Sequence, residues 1–211
     1  MTTGISEQGA HQGHREHINA LRQAQVKQDR RRRRRIRIAW AVATLAVITV
    51  VTAMALTSRQ ESTSTNKAAP DFTLTDTAGT KTSLAALRGK NVLLYFSEGA
   101  GCQACLVQMA QIEKDPGFAK EGLTVLPIVM NTREQITSDM AANEVRTPFL
   151  LDDGTVSTAY GTIGKGMHAG LPGHSFVLID KTGVQRWYGE YPSMFLSPTD
   201  LLKEVRAHLT A

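Results

Sequence analysis

An uncharged apolar run directly behind a block of arginines limits the architecture of this chain more than any other feature. Residues 38–56 (IAWAVATLAVITVVTAMAL) contain no charged side chain, and residues 30–35 are all arginine. At 1.5 Å per helical residue such a run spans about 28 Å, close to the thickness of the hydrocarbon layer of a bilayer. We therefore predict one transmembrane helix over residues 36–57. Because basic flanks stay in the cytoplasm, the N-terminus is expected on the cytoplasmic side of the plasma (inner) membrane.

This predicted helix divides the chain into segments of different character. Residues 1–35 are rich in Gln, His and Arg, which predicts a disordered, basic cytoplasmic segment. Residues 58–67 are polar and predict a linker, and residues 68–211 are expected to fold as one domain outside the cytoplasm. The tripeptide AMA that ends at Ala55 resembles a signal-peptidase site, so cleavage after Ala55 is an alternative to retention as an anchor.

The positive charge of the chain belongs to its N-terminal third. The whole chain carries +5, of which residues 1–67 contribute +8 (12 Lys and Arg against 4 Asp and Glu) and residues 68–211 contribute −3 (12 against 15). The basic side chains form a linear run beside an apolar segment rather than one face of a folded domain. The lipid bilayer is therefore their expected partner, and nucleic acid is not.

The C-terminal segment has the pattern of an α/β domain. Apolar runs rich in β-forming residues predict buried strands over residues 91–96, 123–130 and 175–180. Helical spacing predicts helices over residues 103–114 and 132–143, and an N-cap signal followed by an apolar stripe predicts a last helix from Pro198 onwards. This order of elements predicts a mixed central sheet flanked by helices.

The two cysteines of the chain, Cys102 and Cys105, follow the first buried strand and open the first helix of this domain. The free N–H groups and partial positive charge at a helix N-terminus stabilise a thiolate there. Cys105, one turn further on, can then resolve a mixed disulfide formed at Cys102. A disulfide between them closes a short loop and would stabilise the fold by only about 2 kcal/mol. Since no second pair exists to complete a four-cysteine zinc site, the pair predicts redox or metal-transfer chemistry.

Several further segments carry a resemblance to a known family. They are APDF at 69–72, LRGK at 87–90, the CxxC pair, FLLDDGTVSTAYG at 149–161 and SFVLIDKTGVQRW at 175–187. Together they resemble the redoxin superfamily, which includes the alkyl hydroperoxide reductase/thiol-specific antioxidant proteins and the TlpA-like membrane-anchored thiol-disulfide oxidoreductases.

The resemblance covers residues 68–210. It implies a thioredoxin-like fold with Cys102 as the attacking thiol and Cys105 as the resolving thiol. It also implies no organic cofactor, a membrane thiol electron donor or acceptor as one partner, and exported cysteine-containing proteins as the other.

One departure from the family bears on peroxidase activity. Peroxiredoxins carry a Pro-x-x-x-Thr-x-x-Cys motif. Counting back from Cys102 gives Tyr95 and Gly99 at the Pro and Thr positions, and counting back from Cys105 gives Glu98 and Cys102. The main hypothesis is therefore a membrane-anchored, extracytoplasmic thiol-disulfide oxidoreductase, and a thiol peroxidase is the first alternative.

A second departure concerns the segment that faces the disulfide in this family. The thiol-disulfide members have a cis-proline there, and alignment to this sequence assigns that position to His174, with Pro172 as the cis-proline candidate if the loop is longer. His174 is then expected beside Cys102, where it could hold the thiolate as an ion pair or carry a proton. It could also complete a copper site with Cys102 and Cys105. That second alternative resembles the Sco-type copper chaperones, which usually have three residues between the cysteines.

Two other polar residues near the predicted site are expected to be surface groups. Glu98 is predicted to be a solvated loop acid, and His168 an exposed residue of a glycine-rich loop. A non-catalytic scaffold domain that retains the fold is the remaining hypothesis.

Overall fold

The computed structural model describes residues 36–50, 52 and 61–209, and the chain divides into two compact units, Met1–Thr57 and Ser58–Ala211. In the first unit, residues 36–50 and 52 are helical, and the hydroxyls of Thr44, Thr49 and Thr52 donate to carbonyls four residues earlier. Among the described residues, no helix combines the length and the apolar character needed to cross a membrane. The predicted span over residues 36–57 extends beyond the described residues, as does the predicted segment 1–35, and both stay predictions.

The second unit is built on one mixed sheet of eight strands. In chain order these are β1 (Glu61–Ala68), β2 (Thr73–Asp76), β3 (Lys81–Ser83), β4 (Asn91–Phe96), β5 (Leu123–Val129), β6 (Leu150–Leu151), β7 (Ser175–Ile179) and β8 (Val184–Glu190). Their order across the sheet is β1-β8-β7-β4-β5-β6-β2-β3. The pairs β4–β5 and β5–β6 are parallel, and the others are antiparallel. The predicted α/β fold with a mixed central sheet is confirmed.

Five α-helices accompany this sheet in the described part of the unit. They are α1 (Gln103–Lys114), α2 (Pro116–Lys120), α3 (Arg133–Ala142), α4 (Thr155–Ala159) and α5 (Pro198–Leu209). The predicted bounds of α1 are confirmed. Helix α3 begins with a capping box, in which Thr132 and Gln135 each bind the other's backbone N–H. Helix α2 begins at Pro116 behind the capping carboxylate of Asp115, which explains why α1 ends there.

The central strand β4 is buried on both faces. Leu93 and Tyr95 belong to a hydrophobic cluster that includes α1, α3 and α5, and Val92, Leu94 and Phe96 belong to a second cluster on the opposite face. Since successive side chains of a strand point to opposite faces, a strand between two cores must be apolar throughout. This requirement explains the uninterrupted run NVLLYF, and it places the end of β4 where the cysteines follow.

The predicted linker over residues 58–67 is wrong for residues 61–67. These residues form most of β1, which pairs antiparallel with β8 along the edge of the sheet. Ser62 accepts a hydrogen bond from the indole Nε1 of Trp187 at 2.9 Å, and Thr65 donates to the carbonyl of Gln185 at 2.9 Å. Nearly every side chain of β1 is exposed, so backbone pairing rather than apolar burial holds the strand, and the sequence lacks an alternating pattern. The folded unit therefore begins before residue 68.

Candidate functional site

The site is the turn that joins β4 to α1, residues 97–102, together with the first turn of α1. We call residues 97–102 the CxxC turn. Cys102 is the N-cap residue of α1 and is half-buried, whereas Cys105 is fully buried in the core. The two form a disulfide with a Cα–Cα distance of 5.3 Å. One sulfur atom is therefore within reach of a partner molecule, and the other is covered by the fold.

The start of α1 favours a negative charge at Cys102. The carbonyl of Cys102 accepts hydrogen bonds from the N–H groups of Cys105 (3.0 Å) and Leu106 (3.3 Å), so the helix begins at this residue. The first turn of α1 contains no acidic side chain that would compete for the free N–H groups. The positive end of the helix therefore lies next to the half-buried cysteine, which stabilises its thiolate.

Three side chains from residues 131–143 hold the CxxC turn and the first residue of α1 in place. Asn131 accepts a hydrogen bond from the N–H of Ala100 at 2.9 Å, and Asp139 of α3 accepts one from the N–H of Gly101 at 2.8 Å. Asn143, just behind α3, accepts one from the side chain of Gln103. The backbone that leads into Cys102 is therefore held at two successive N–H groups, and the side chain just beyond Cys102 is held at a third point. The position of the turn is thus set before a partner binds.

Gly99 is required in this turn by both conformation and space. Its φ is +74°, in a backbone region that residues other than glycine rarely adopt. A Cβ at this position would lie 2.0 Å from Oδ1 of Asn131 and 2.8 Å from Cγ1 of Val129. Gly99 occupies the position of the threonine in the peroxiredoxin motif counted from Cys102. A threonine therefore cannot be accommodated there without moving Asn131, which holds the turn.

A buried polar chain runs below the disulfide from Cys105 to His174. The hydroxyl of Tyr95 donates to the carbonyl of Cys105 at 3.1 Å and lies 3.2 Å from Nδ1 of His174. Because a phenol has one proton, the Tyr95 oxygen must accept from a protonated Nδ1. This arrangement assigns the Nδ1–H tautomer to His174, and Nε2 then carries a lone pair that is buried and unpartnered within the described residues.

Burial keeps both members of this chain neutral. Burial lowers the pKa of His174 to about 3, and it raises the pKa of Tyr95 well above its ordinary value. The predicted ion pair between a charged His174 and the Cys102 thiolate is therefore not what this environment favours. The hydrogen bonds connect His174 to the backbone of Cys105, through Tyr95, rather than to the thiol of Cys102.

Two further predictions about this region concern a cis-proline at Pro172 and a copper site at the cysteines. All peptide bonds of the described residues are trans, so the prediction of a cis-proline at Pro172 is wrong. Pro172 instead forms an isolated antiparallel bridge with Ile163. No three His, Cys, Asp or Glu side chains of the described residues are grouped closely enough to hold a metal ion. The alternative copper site of Cys102, Cys105 and His174 stays a prediction.

Glu98 is buried, contrary to the prediction of a solvated acid. Its side chain is 4% exposed and accepts hydrogen bonds from the backbone N–H of His168 at 3.0 Å and from Nδ1 of His168 at 2.8 Å. The carboxylate thereby holds residues 163–173, the glycine-rich loop, beside the CxxC turn. A Cβ on Gly166 would lie 2.4 Å from the Glu98 carboxylate, which explains a glycine at that point of the loop. His168 itself is 65% exposed, as predicted.

Sequence reasoning missed Tyr95 and Asp139 as parts of the site. Tyr95 lies inside the apolar run of β4, where its residue type is typical of a buried strand and gives no sign of another role. Asp139 contacts the CxxC turn across 38 residues of sequence, and no local pattern marks such a contact. The one available signal was that Tyr95 is the penultimate residue of a strand that leads directly to the cysteines.

Comparison with known proteins agrees with this geometry. The sequence profile of the AhpC/TSA family matches residues 65–188, more than half of the chain. This chain belongs to the AhpC/TSA family. The match begins inside β1, which supports the inclusion of that strand in the domain. The resemblance to the redoxin superfamily is therefore confirmed, while membrane anchoring stays a prediction.

The relatives of this AhpC/TSA family member include both peroxiredoxins and thiol-disulfide oxidoreductases. A putative peroxiredoxin of Mycobacterium tuberculosis is 35% identical over 99 residues, which is 46% of this chain and 63% of that protein. The thiol-disulfide oxidoreductase ResA of Bacillus cereus is 30% identical over 128 residues, 59% of this chain and 69% of that protein. The chain thus matches less than two thirds of the putative peroxiredoxin's length.

Solved structures support the fold. The peroxidoxin BcpB of Mycobacterium tuberculosis superposes with a TM-score of 0.57 at 21% identity, over 68% of this chain and 97% of that one. The thioredoxin-like fold predicted from the sequence is thereby confirmed.

Proposed function

We propose that this AhpC/TSA family member is a thiol-disulfide oxidoreductase. The observation that carries the proposal is the difference in solvent exposure between the two cysteines. Cys102 is half-buried at the start of α1, and its disulfide partner Cys105 is fully buried. Disulfide exchange needs one thiol that a partner can reach and a second thiol that only the first can reach. The identity to a thiol-disulfide oxidoreductase over 69% of that protein's length supports the same activity.

The proposed reaction moves two electrons in two exchange steps. In the reduced protein, the Cys102 thiolate attacks one sulfur of a partner disulfide, a Cys102–partner disulfide forms, and one partner thiolate leaves. The Cys105 thiol then loses its proton and attacks the sulfur of Cys102. The Cys102–Cys105 disulfide forms, and the second partner thiolate leaves and takes up the proton. The reverse sequence oxidises a partner dithiol, so the reaction needs no cofactor beyond the two cysteines.

In this scheme Tyr95 and His174 are positioning residues for Cys105. The hydrogen bond from Tyr95 fixes the carbonyl of Cys105, and the neutral imidazole of His174 fixes the hydroxyl of Tyr95. The backbone of the resolving cysteine is thereby held in place below Cys102. Nε2 of His174 is buried and unpartnered within the described residues, and the lowered pKa of the ring keeps this atom unprotonated.

We also propose that the domain works outside the cytoplasm from an anchor in the plasma membrane. The arginine block at residues 30–35 and the uncharged run at residues 38–56 support this arrangement. Disulfide chemistry persists on the oxidising side of the membrane. The proposed partners are a membrane thiol electron donor or acceptor and exported proteins that contain cysteines.

A thiol peroxidase is the second candidate, because a putative peroxiredoxin is among the relatives. Peroxidase chemistry would oxidise Cys102 to a sulfenic acid with release of an alcohol or water, and Cys105 would then close the disulfide. The crowded space at Gly99 argues against it, since the supporting threonine has no room there.

The test uses the reduced, full-length chain in a mild detergent with metal ions excluded. Glutathione disulfide is the probe, and mass spectrometry identifies the adduct. We expect Cys105→Ser to accumulate a glutathione adduct on Cys102, Cys102→Ser to form almost none because Cys105 is buried, and the wild type to return to the internal disulfide. Equal adduct formation in both variants would contradict the assigned roles.

Two additions to this test separate the alternatives. Hydrogen peroxide in place of glutathione disulfide tests the peroxidase, which requires Cys102 to react much faster than an ordinary thiol. Titration of the reduced protein with Cu(I), with His174→Ala as the comparison, tests the copper chaperone. Binding of one copper ion that blocks disulfide formation and is lost in His174→Ala would replace the oxidoreductase proposal.

A further inference from the structure

Asp139 brings a negative charge to the CxxC turn that the reaction scheme does not use. Its Oδ2 accepts a hydrogen bond from the N–H of Gly101, the residue directly before Cys102, at 2.8 Å. Asp139 lies on α3 and is half-buried, so solvent screens its charge only in part. The carboxylate is thus bound to the backbone of the residue that precedes the reacting cysteine in the chain.

The charge of Asp139 is separable from its hydrogen bond. Asn131 makes the same kind of contact with the N–H of the preceding residue, Ala100, at 2.9 Å, and its acceptor is a neutral amide oxygen. Asn143 also uses an amide oxygen to hold Gln103. Asn131 and Asp139 therefore hold the turn, Asn143 holds the first residue of α1, and Asp139 is the one of the three that is charged. An amide oxygen can make the same hydrogen bond, so the negative charge is what distinguishes Asp139 from Asn131.

That consequence is electrostatic. A thiolate at Cys102 is favoured by the start of α1 and disfavoured by a nearby carboxylate. We propose that Asp139 opposes the helix terminus at Cys102, disfavours the thiolate relative to the disulfide, and so makes this site a better electron donor. The inference rests on the proposed function and biases it towards electron transfer from this protein to the disulfide of its partner.

The redox balance sets the size and the sign of the expected effect. Reduction of the disulfide takes two electrons and two protons to give two thiols, or two electrons and one proton where Cys102 is a thiolate. Removal of a nearby like charge lowers the pKa of the thiol by about one unit. At a pH where Cys102 is mostly thiolate, the lower pKa shifts the equilibrium between disulfide and reduced form about tenfold towards the reduced form. The reduction potential then becomes about 30 mV less negative. With Asp139 present the protein is the stronger reductant by the same amount.

Four other titratable groups lie close to the turn or to the disulfide. Glu98 and His168 form a hydrogen-bonded pair on the side of the glycine-rich loop, and Tyr95 and His174 lie below Cys105. These groups are unchanged in an Asp139 variant. Their contributions to the pKa of Cys102 and to the reduction potential therefore cancel when the variant is compared with the wild type.

The experiment compares wild type, Asp139→Asn and a control in the full-length chain in detergent. Asp139→Asn keeps an oxygen acceptor for Gly101 and removes the charge. Glu134→Gln removes the same charge from an exposed position in the first turn of α3. The pKa of Cys102 is read from the pH dependence of alkylation in the reduced protein. The reduction potential is read in dithiothreitol buffers at about pH 9, where a Cys of ordinary pKa is mostly thiolate.

We expect Asp139→Asn to shift the alkylation profile down by about one pH unit and to raise the potential by about 30 mV, with Glu134→Gln close to wild type. Asp139→Ala removes both charge and hydrogen bond, and a charge effect predicts the same shift in both Asp139 variants. The inference is overturned if Asp139→Asn moves neither quantity beyond Glu134→Gln, or if only Asp139→Ala moves them. A wild type that forms no reversible disulfide would instead refute the proposed function, whatever the variants do.

Discussion

Replacement of Gly99 by alanine is expected to damage the site far more than the same change two residues later. Both glycines have left-handed backbone conformations, with φ of +74° at Gly99 and +84° at Gly101. In the described structure a Cβ on Gly101 would meet no atom within 4 Å, whereas one on Gly99 would lie 2.0 Å from Asn131 and 2.8 Å from Val129. The two variants therefore share the backbone strain and differ in steric overlap.

The magnitude follows from these two contributions. Left-handed backbone costs a residue with a Cβ about 1–2 kcal/mol. Overpacking against a fully buried side chain such as Val129 costs about 1–3 kcal/mol more. We expect Gly101→Ala to lower the free energy of unfolding by about 1–2 kcal/mol and Gly99→Ala by about 2–5 kcal/mol.

Urea unfolding of the oxidised protein measures this difference. The chain contains two tryptophans, and a Trp40→Phe background leaves the fully buried Trp187 as the fluorescent probe of the domain. The reasoning is refuted if the two alanine variants are equally stable, or if Gly101→Ala is the less stable of the two. Either result would mean that Asn131 moves aside freely and does not hold the turn.

Three further predictions concern the buried polar groups around the cysteines. Tyr95→Phe removes the hydroxyl between Cys105 and His174 and is expected to lower the free energy of unfolding by about 1–3 kcal/mol in urea. The unfolded chain binds a proton at His174 near pH 6.5 and the folded protein only near pH 3. Stability is therefore complete above pH 6.5 and falls below it by up to about 1.4 kcal/mol per pH unit, and His174→Gln removes this slope. Glu98→Gln weakens the attachment of the glycine-rich loop and is expected to speed amide hydrogen exchange at His168.

Each of these has an outcome that would contradict it. A Tyr95→Phe protein as stable as wild type would mean that the carbonyl of Cys105 needs no donor. An unchanged acid profile in His174→Gln would assign the pH dependence to other groups. An unchanged exchange rate of the His168 amide in Glu98→Gln would mean that the other contacts of the glycine-rich loop are sufficient to hold it beside the turn.

The elements that the sequence predicted well are those whose burial is uniform. Strands β4 and β7 lie between two cores, and their apolar runs follow from that position. Strand β1 has the opposite character: its side chains are exposed, its pairing uses the backbone, and its composition resembles a linker. Helix α4 has only five residues and begins where Asp152 accepts hydrogen bonds from two N–H groups of its first turn, so no helical period could develop.

Part of the candidate site could be predicted from neighbouring residues in the chain, and part depends on residues that are distant in sequence. Cys102 and Cys105 were predictable because a strand, a turn and a helix start follow one another in the chain. The attachment of the turn by Asn131 and Asp139 depends on how α3 packs beside it, which local sequence does not encode. The burial of Glu98 also depends on a distant segment, since the carboxylate is covered by a loop 70 residues further on.

The burial of Cys105 has a kinetic consequence for any pair of partners. With only Cys102 within reach, the electron donor and the electron acceptor must use the same sulfur atom, one after the other. The proposed oxidoreductase would then follow a ping-pong scheme, in which double-reciprocal plots at several donor concentrations are parallel lines. An excess of either partner would slow turnover by occupying the form of the protein meant for the other. The flux through the site would then depend on the balance between the two partners as well as on the amount of each.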